Sequence, residues 1–319
     1  MSTPRNGEIL FIKSVKDGIP NRDPLADSDA RRIFGEDDGR ISLSDVSIKR
    51  DVRDYVLAKY PDGGPNKDRF VFVREERTAD GKLLGRDSLA KTIWERAGAN
   101  PNDAVERQKA LLAHAFDARV FGTVFSVKSV SFHVTGPVQF GWAHSLHPVA
   151  THYVQGTVVM PSKDETAKGD GGENEGKTQG TIWTTWTTPF AMFVMPGIIN
   201  HTLAAQSGMT ESDVDLLLEG LWNGTLFRQA RGRGLQSPLL LVHVEYHDPF
   251  FRLGYLEETV HTEFTTSPPT NVADIILDVA SLQERLNAAR AKIARIRVWH
   301  NPLLQMTPRL DAEYHVFEE

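Results

Sequence analysis

Cysteine is absent from all 319 residues of the chain. Its absence excludes disulfides, thiolate zinc sites, iron–sulfur ligation and thiol nucleophiles, and it fits a protein of the reducing cytoplasm. The sequence also lacks any run of about 18 apolar residues, which a membrane-spanning helix needs. Neither a membrane span nor a signal peptide is therefore expected.

Acidic residues are missing from three long runs, although the chain is acidic overall. Its 42 Asp and Glu exceed its 36 Lys and Arg, which gives a net charge of −6. No acid occurs over residues 118–163, 176–210 or 220–244. This distribution lets an acidic chain present one neutral-to-basic surface. Buried strands would give the same pattern, so the runs alone do not decide between the two interpretations.

The apolar pattern predicts an α+β chain that forms a single decorated domain. With 40% apolar and 24% charged residues, the composition is that of an ordinary globular protein. Short apolar runs and alternating segments predict strands at 7–15, 69–76, 119–138 (one strand or two), 190–195 and 239–246. Apolar spacing and capping residues predict helices at 45–58 and 103–116 and one that starts at 211.

Two further segments have a distinctive composition. Residues 161–180 hold five Gly and eight charged residues between two β-prone stretches, which favours a long hairpin arm with a solvated tip over a plain surface loop. Near the C-terminus, apolar residues at alternating steps of four and three predict a long helix over about 270–298; they are Ile275, Val279, Leu282, Leu286, Ala289, Ile293 and Ile296. Such a seam packs on its own domain or pairs with another chain.

Basic side chains are concentrated in two segments. Lys49, Arg50 and Arg53 lie on the helix predicted after Ser44, where Asp51 and Asp54 offer local partners. Arg228, Arg231 and Arg233 lie in a Gly-containing segment, residues 228–234, the Arg-Gly loop. No acid neighbours this loop in sequence, so we expect a bound polyanion as the counterion of its arginines. Four other residues are weaker candidates for binding. Asn21 and Arg22 lie in a Pro-framed turn, and Gln139 and Phe140 offer an amide and a stacking ring at a strand end.

Enzyme hypotheses have weaker support in the sequence. His243, Glu245 and His247 fall on one face of a predicted strand, which is a geometrically feasible metal set. Asp23, Asp27 and Asp29 would be the carboxylates of a phosphodiester-cleaving nuclease. Walker, dinucleotide-binding, nucleophile-elbow and kinase motifs are absent, so we predict no catalytic residue, no cofactor and no metal.

The ordered set of motifs resembles the repeated backbone subunit of CRISPR Cascade complexes, of the type I-B kind, with the type I-C subunit as a near relative. The segments that carry the resemblance are EILFIKSVKDGIPNRDP, SDVSIKRDVRDYV, FDARVFG, TGPVQFGWAHSLHPV, MPGIINHTLAAQSGMTESDVDLLLEGLWNG and the Arg-Gly loop before PLLLVHVEY. Departures occur where Ile19 and Arg22 replace an Asn and a Gly of the first loop, and in the Arg-Gly loop itself.

This resemblance implies a non-enzymatic, cytoplasmic protein of antiviral defence that binds CRISPR RNA (crRNA) through its backbone. It implies a ferredoxin-like, RRM-like core from about 7–58, 119–148 and 189–247, a helical insertion at about 60–118 and a thumb hairpin at about 149–188. The expected partners are crRNA, target DNA paired to the guide, further copies of the chain and other Cascade subunits. The expected RNA-binding residues are Asn21, Arg22, Ser44, Lys49, Arg50, Arg53, Gln139, Phe140, Arg228, Arg231 and Arg233. A nuclease of a related CRISPR effector, and a scaffold that oligomerises without nucleic acid, are the alternatives.

Overall fold

The computed structural model describes residues 2–127, 130–158 and 182–317. It is a mixed α+β structure. Seven α-helices lie within these ranges: α1 Asp45–Lys59, α2 Arg86–Ala97, α3 Ala104–His114, α4 Phe116–Phe121, α5 His201–Ser207, α6 Glu211–Phe227 and α7 Ala280–Ala288. Among the described residues, no helix is both long and apolar enough to cross a bilayer.

Fifteen strands lie in the described ranges. They are β1 Gly7–Lys16, β2 Ser42–Leu43, β3 Gly122–Val127, β4 Val130–Thr135, β5 Val138–Phe140, β6 Ala143–Ser145, β7 His152–Thr157, β8 Ile182–Thr187, β9 Phe190–Ile199, β10 Leu235–Tyr246, β11 His261–Phe264, β12 Ile275–Asp278, β13 Ile293–His300, β14 Gln305–Thr307 and β15 Glu313–His315.

The main sheet has the strand order β15-β13-β10-β1-β9-β6-β2, with β5 also paired to β9. β1 lies at its centre and pairs antiparallel with both β9 and β10. Alternate residues of β1 point to opposite faces, and both faces are covered. Ile9 and Phe11 enter the core that contains α1 and α6, whereas Leu10 and Ile12 enter the core formed with the C-terminal part. Burial on both sides explains why this strand is almost continuously apolar.

Helices α1 and α6 cross very closely on one face of the sheet. A Cβ added at Gly224 would lie 2.4 Å from the carbonyl oxygen of Asp51, and one added at Gly220 would lie 2.9 Å from Cγ1 of Val52. Larger residues at these two positions would push the helices apart. The two glycines therefore bring the middle of α1 up to the end of α6, where the Arg-Gly loop begins.

Three smaller units complete the structure. β3 and β4 form a ribbon that packs with α2 and α3, and β11, β12 and β14 form a three-stranded sheet. β7 and β8 form a separate antiparallel ribbon in which His152 faces Thr187 and Thr157 faces Ile182. The predicted arm tip, residues 161–180, lies outside the described residues.

The structure corrects three secondary-structure predictions. The helix expected over about 270–298 is a strand, a helix and a strand, β12, α7 and β13. Residues 69–76 form no strand, because the amides of Phe72 and Val73 donate to the carboxylate of Asp117 instead of to a neighbouring strand. The start of the strand predicted over 119–138 belongs to α4.

Candidate nucleic-acid interface

Two loops meet at the end of β1, and glycine makes their contact feasible. The amide of Ile19 donates to the carbonyl of Gly232 at 2.9 Å. A Cβ at Gly18 would lie 2.0 Å from the backbone nitrogen of Gly234, and Gly234 has a φ of +72°. Because only glycine accepts both the close approach and the left-handed conformation, the loop after β1 and the Arg-Gly loop before β10 form one surface.

A buried carboxylate lies beneath this surface. Asp51 on α1 is 1% exposed, and three cations donate to it. Its Oδ2 accepts from Nζ of Lys13 at 2.7 Å, and its Oδ1 accepts from Arg228 at 2.9 Å and from Arg233 at 3.1 Å. One side chain of α1 thus joins the central strand to both ends of the Arg-Gly loop.

Burial perturbs the cations of this cluster. Burial lowers the pKa of Lys13. The charges of Arg233 and Arg228 lower this pKa further, whereas Asp51 raises it. Burial also lowers the pKa of Arg233, against the opposing effect of Asp51. Desolvation disfavours the charged form of a basic group, so the shared carboxylate is what holds these cations in place.

The sequence-based expectation about the counterion of the Arg-Gly loop was therefore wrong for two of its three arginines. Arg228 pairs with Asp51 and, at 3.2 Å, with Asp54, and Arg233 pairs with Asp51 and donates to the carbonyl of Pro20 at 2.6 Å. Asp51 is 177 positions away from Arg228 and 182 positions away from Arg233 in sequence, so the local composition of the loop did not reveal it.

Positive charge nevertheless exceeds negative charge in this cluster. Asp54 also binds Arg50, at 2.7 Å. The side chains joined by these ion pairs are four cations and two carboxylates, which gives a formal excess of two positive charges. The cations are Lys13, Arg50, Arg228 and Arg233, and the acids are Asp51 and Asp54. An anion near this surface would meet a favourable field.

Arg231 is the exposed arginine of the loop. Its guanidinium lies over the ring of Trp183 on β8, 4.5 Å from the ring centroid. Arg22 reaches the same ribbon, where it donates to the hydroxyl of Thr185 and, at 3.4 Å, to the carbonyl of Gly232. The two-stranded β7–β8 ribbon therefore lies directly beside the Arg-Gly loop, with two cations against β8.

Asn21 and Ser44 act on the backbone around the start of α1. The Oδ1 of Asn21 accepts hydrogen bonds from the backbone amide and the hydroxyl of Ser44, at 2.8 and 2.9 Å. Ser44 is the N-cap of α1, but its side chain makes no capping hydrogen bond. The structure thus brings these two predicted residues together with Arg22, Arg228, Arg231 and Arg233.

The cations of α1 have separate partners. Lys49 binds Asp45 at 2.9 Å, and Arg50 is more than half exposed. Arg53 donates to the buried carboxylate of Asp117 at 2.8 Å and lies over the ring of Phe121. Of these three, Arg50 is the most accessible to a ligand.

Gln139 and Phe140 lie on β5, away from the Arg-Gly loop, and they do not match their predicted roles equally well. The amide of Gln139 donates to the carbonyl of Gly136 at 2.9 Å, and the side chain is half-buried. Phe140 is 9% exposed and packs against Phe121 in the core. The structure therefore contradicts the prediction that the ring of Phe140 is a free stacking surface.

Sequence reasoning missed Lys13, Asp51 and Trp183 as parts of this site. A lysine in the middle of the apolar strand ILFIKSV was the available signal, because a buried lysine needs a buried acid. Asp51 directly precedes Val52 on the apolar face of α1. A carboxylate on a buried face is the matching signal, because it needs a buried cation. Nothing local marked Trp183 as a partner of Arg231.

The candidate metal and nuclease residues are not assembled into a site. Across the part of the chain that the structure describes, no three His, Asp or Glu side chains are grouped so as to hold a metal ion. His243 is buried, and its Nδ1 accepts a hydrogen bond from the guanidinium of Arg297 at 3.1 Å, while Glu245 binds Arg295. Asp23 lies 3.9 Å from Arg31, whereas Asp29 binds the hydroxyl of Thr151.

Comparison with known proteins identifies relatives across almost the whole chain. The family model described as CRISPR-associated protein Cas7 matches residues 5–280. A protein of Haloferax volcanii with that same description is 25% identical over 326 residues, which cover 93% of this chain and 87% of the relative. A chain of a solved "CRISPR RNA-guided surveillance complex, pre-nicking" shares the fold, with a TM-score of 0.58 at 16% identity over 98% of this chain and 96% of its own length.

Proposed function

Because the chain belongs to the CRISPR-associated Cas7 family, we propose that it is a repeated backbone subunit of a type I Cascade surveillance complex. In this role it binds the backbone of crRNA independently of sequence and presents the guide for pairing with target DNA in antiviral defence. Its other partners are further copies of itself and the remaining Cascade subunits. We propose the type I-B kind, with type I-C as a near relative that shares most of these motifs, and the absence of cysteine suits the cytoplasm.

The observation that carries the proposal is the excess of positive charge where the Arg-Gly loop, α1 and the β7–β8 ribbon meet. Arg231 and Arg50 are exposed there, above the cluster around Asp51. A guide-holding protein has to accept any spacer, so it contacts phosphates and sugars and does not read base edges. Arginines in a Gly-containing loop suit that task, because they form charge-assisted hydrogen bonds to phosphate oxygens.

We assign the core of this fold to the ferredoxin-like, RRM-like type. Two features support this assignment. The sheet contains the antiparallel order β10-β1-β9, and β5 and β6 share the fourth position because both pair with β9. The helices α1 and α6 pack on one face of this sheet. In this scheme the core comes from about 7–58, 119–148 and 189–247, and α2 and α3 belong to a helical insertion at about 60–118. The β7–β8 ribbon is the base of a thumb hairpin at about 149–188 that kinks the guide.

The nuclease alternative has less support. Its three aspartates would have to converge on a metal, yet Asp23 and Asp29 are engaged with different partners and Asp27 is exposed in a loop. A non-enzymatic role therefore agrees better with the geometry. Mg²⁺-dependent RNA cleavage that disappears on changing Asp23, Asp27 or Asp29 to Asn would support the nuclease instead.

The decisive experiment is to purify the protein after co-expression with a CRISPR array. We expect a high ratio of absorbance at 260 to 280 nm, and repeat–spacer sequences in the RNA that co-purifies. Light scattering before and after nuclease treatment then separates two models. Guide-dependent assemblies should collapse to small species, whereas a scaffold that oligomerises without nucleic acid would keep its size.

A further inference from the structure

The carboxylate of Asp51 fixes the shape of the RNA-facing surface without being part of that surface. It is buried, and its two oxygens bind three cations from three places in the chain: Lys13 on β1 and Arg228 and Arg233 at the two ends of the Arg-Gly loop. A group this deeply buried cannot touch a bound RNA strand. Its influence on binding has to act through the residues that it holds.

Without this acid, the three cations would repel one another. All three are positively charged and converge on one carboxylate, so Arg228 and Arg233 each lower the pKa of Lys13, and Arg228 lowers that of Arg233. Asp51 opposes these effects for both groups. Removing its charge would favour arrangements in which the arginines move apart and toward water.

The arginines held by Asp51 also fix the neighbouring loops. Arg233 donates to the carbonyl of Pro20 and so holds the loop after β1, and Arg228 donates to the carbonyl of Ser47 at 3.2 Å. Arg231 lies between these two anchors in sequence. Its backbone is therefore tied on both sides, and its guanidinium is held over Trp183.

We propose that Asp51 is a positioning residue for RNA binding: a buried acid that strengthens the binding of a polyanion. The inference rests on the proposed function. The expected change in RNA affinity is opposite to the simple electrostatic one, because removing a negative charge near a polyanion site would ordinarily raise affinity slightly. Pre-organisation predicts the opposite, since a loosened Arg-Gly loop has to be ordered again when RNA binds.

The test compares Asp51→Asn with Asp213→Asn in the full chain. Asp213 is the matched control, because it is also a buried acid that binds a buried guanidinium, that of Arg119 at 2.7 Å. RNA affinity is measured by fluorescence anisotropy with a labelled repeat–spacer RNA, well below the unfolding midpoint of each variant. We expect D51N to weaken binding about tenfold, which corresponds to about 1.4 kcal/mol, and D213N to leave affinity unchanged although both variants are less stable.

A second readout does not involve RNA. Trypsin cleaves after arginine, so the rate of cleavage after Arg231 reports how well the Arg-Gly loop is held. We expect faster cleavage there in D51N and the wild-type rate in D213N, since a general loss of stability would affect both variants alike.

A double variant keeps the inference falsifiable if D51N folds poorly. Adding Lys13→Met removes the buried cation that D51N leaves without its acid, so D51N/K13M should fold and still bind RNA weakly. Wild-type affinity or tighter binding in a folded D51N or D51N/K13M would overturn the inference and leave the proposed function intact. Wild-type protein that binds no RNA would overturn the proposed function, and this inference with it.

Discussion

Arg231 is the exposed cation of the Arg-Gly loop, and replacing it tests whether this loop contacts RNA phosphates. Its described contact is the ring of Trp183, at 4.5 Å from the centroid. Arg231→Ala should therefore change binding with little effect on folding. Arg290→Ala is a matched control, because Arg290 is also exposed but lies after α7, beside the core on the other face of the sheet.

The expected magnitudes follow from the environment of Arg231. An exposed cation–π contact contributes about 0.5–1 kcal/mol to stability. For a chain of this length the entropy of unfolding is about 0.7 kcal/mol/K, so the unfolding midpoint should fall by no more than about 1.5 °C. Loss of one contact to single-stranded RNA should reduce the slope of log affinity against log salt by about 0.7. At a fixed moderate salt concentration, affinity should fall roughly fivefold, or about 1 kcal/mol.

The assay is fluorescence anisotropy with a labelled repeat–spacer RNA at several salt concentrations, together with thermal unfolding of each variant. Both substitutions remove one positive charge, so a general electrostatic effect would lower affinity equally in R231A and R290A. We expect the reduced salt slope in R231A alone. An unchanged slope in R231A, or the same loss in R290A, would refute the argument that this loop contacts the phosphates.

Three other variants test separate parts of the structure. Arg233→Ala removes the hydrogen bonds to Asp51 and to the carbonyl of Pro20, which should cost roughly 2–3 kcal/mol of stability. The unfolding midpoint of this variant should therefore drop by about 3–5 °C. A drop as small as that of R231A would contradict a buried role for Arg233. Deletion of residues 163–178 should leave thermal unfolding unchanged but weaken ordered assembly on crRNA, and regularly spaced particles in electron micrographs of the deletion would argue against a thumb. Burial holds the pKa of His243 well below its ordinary value, so the unfolded chain takes up a proton that the folded chain does not as the pH falls below about 6.5. His243→Gln should therefore reduce the loss of stability on acidification, by up to about 1.4 kcal/mol per pH unit in chemical denaturation, and a pH dependence identical to that of the wild type would show that His243 is not the group responsible.

The predicted elements that proved right are those whose pattern is local. The strand predicted at 7–15 is Gly7–Lys16, and the helix predicted at 45–58 is Asp45–Lys59. The first is an apolar run that ends at charged residues, and the second has a cap and an apolar face spaced by four, three and one. Both signals lie within about fifteen residues, so no knowledge of distant contacts was needed to recognise them.

The C-terminal seam shows how a correct inference about burial can give the wrong secondary structure. All seven of its apolar residues are buried in one core. Steps of four and three select a helical face, but a strand, a short helix and a second strand place the same residues on that core in a different way. The β-branched residues at both ends, Ile275, Ile293 and Ile296, favoured strands, and periodicity alone did not separate the two solutions.

The arginines of the Arg-Gly loop show the corresponding limit for the site. Local composition correctly indicated an acid-poor loop, yet the tertiary fold brings Asp51 to it from a helix more than 170 residues earlier. That contact divides three similar arginines into two that hold the loop and one, Arg231, that remains exposed. The division depends on Gly224, whose missing side chain lets α1 approach α6 closely enough for Asp51 to reach Arg228. A charge pattern in sequence can therefore identify a basic loop, but only packing decides which of its cations are free to bind a polyanion.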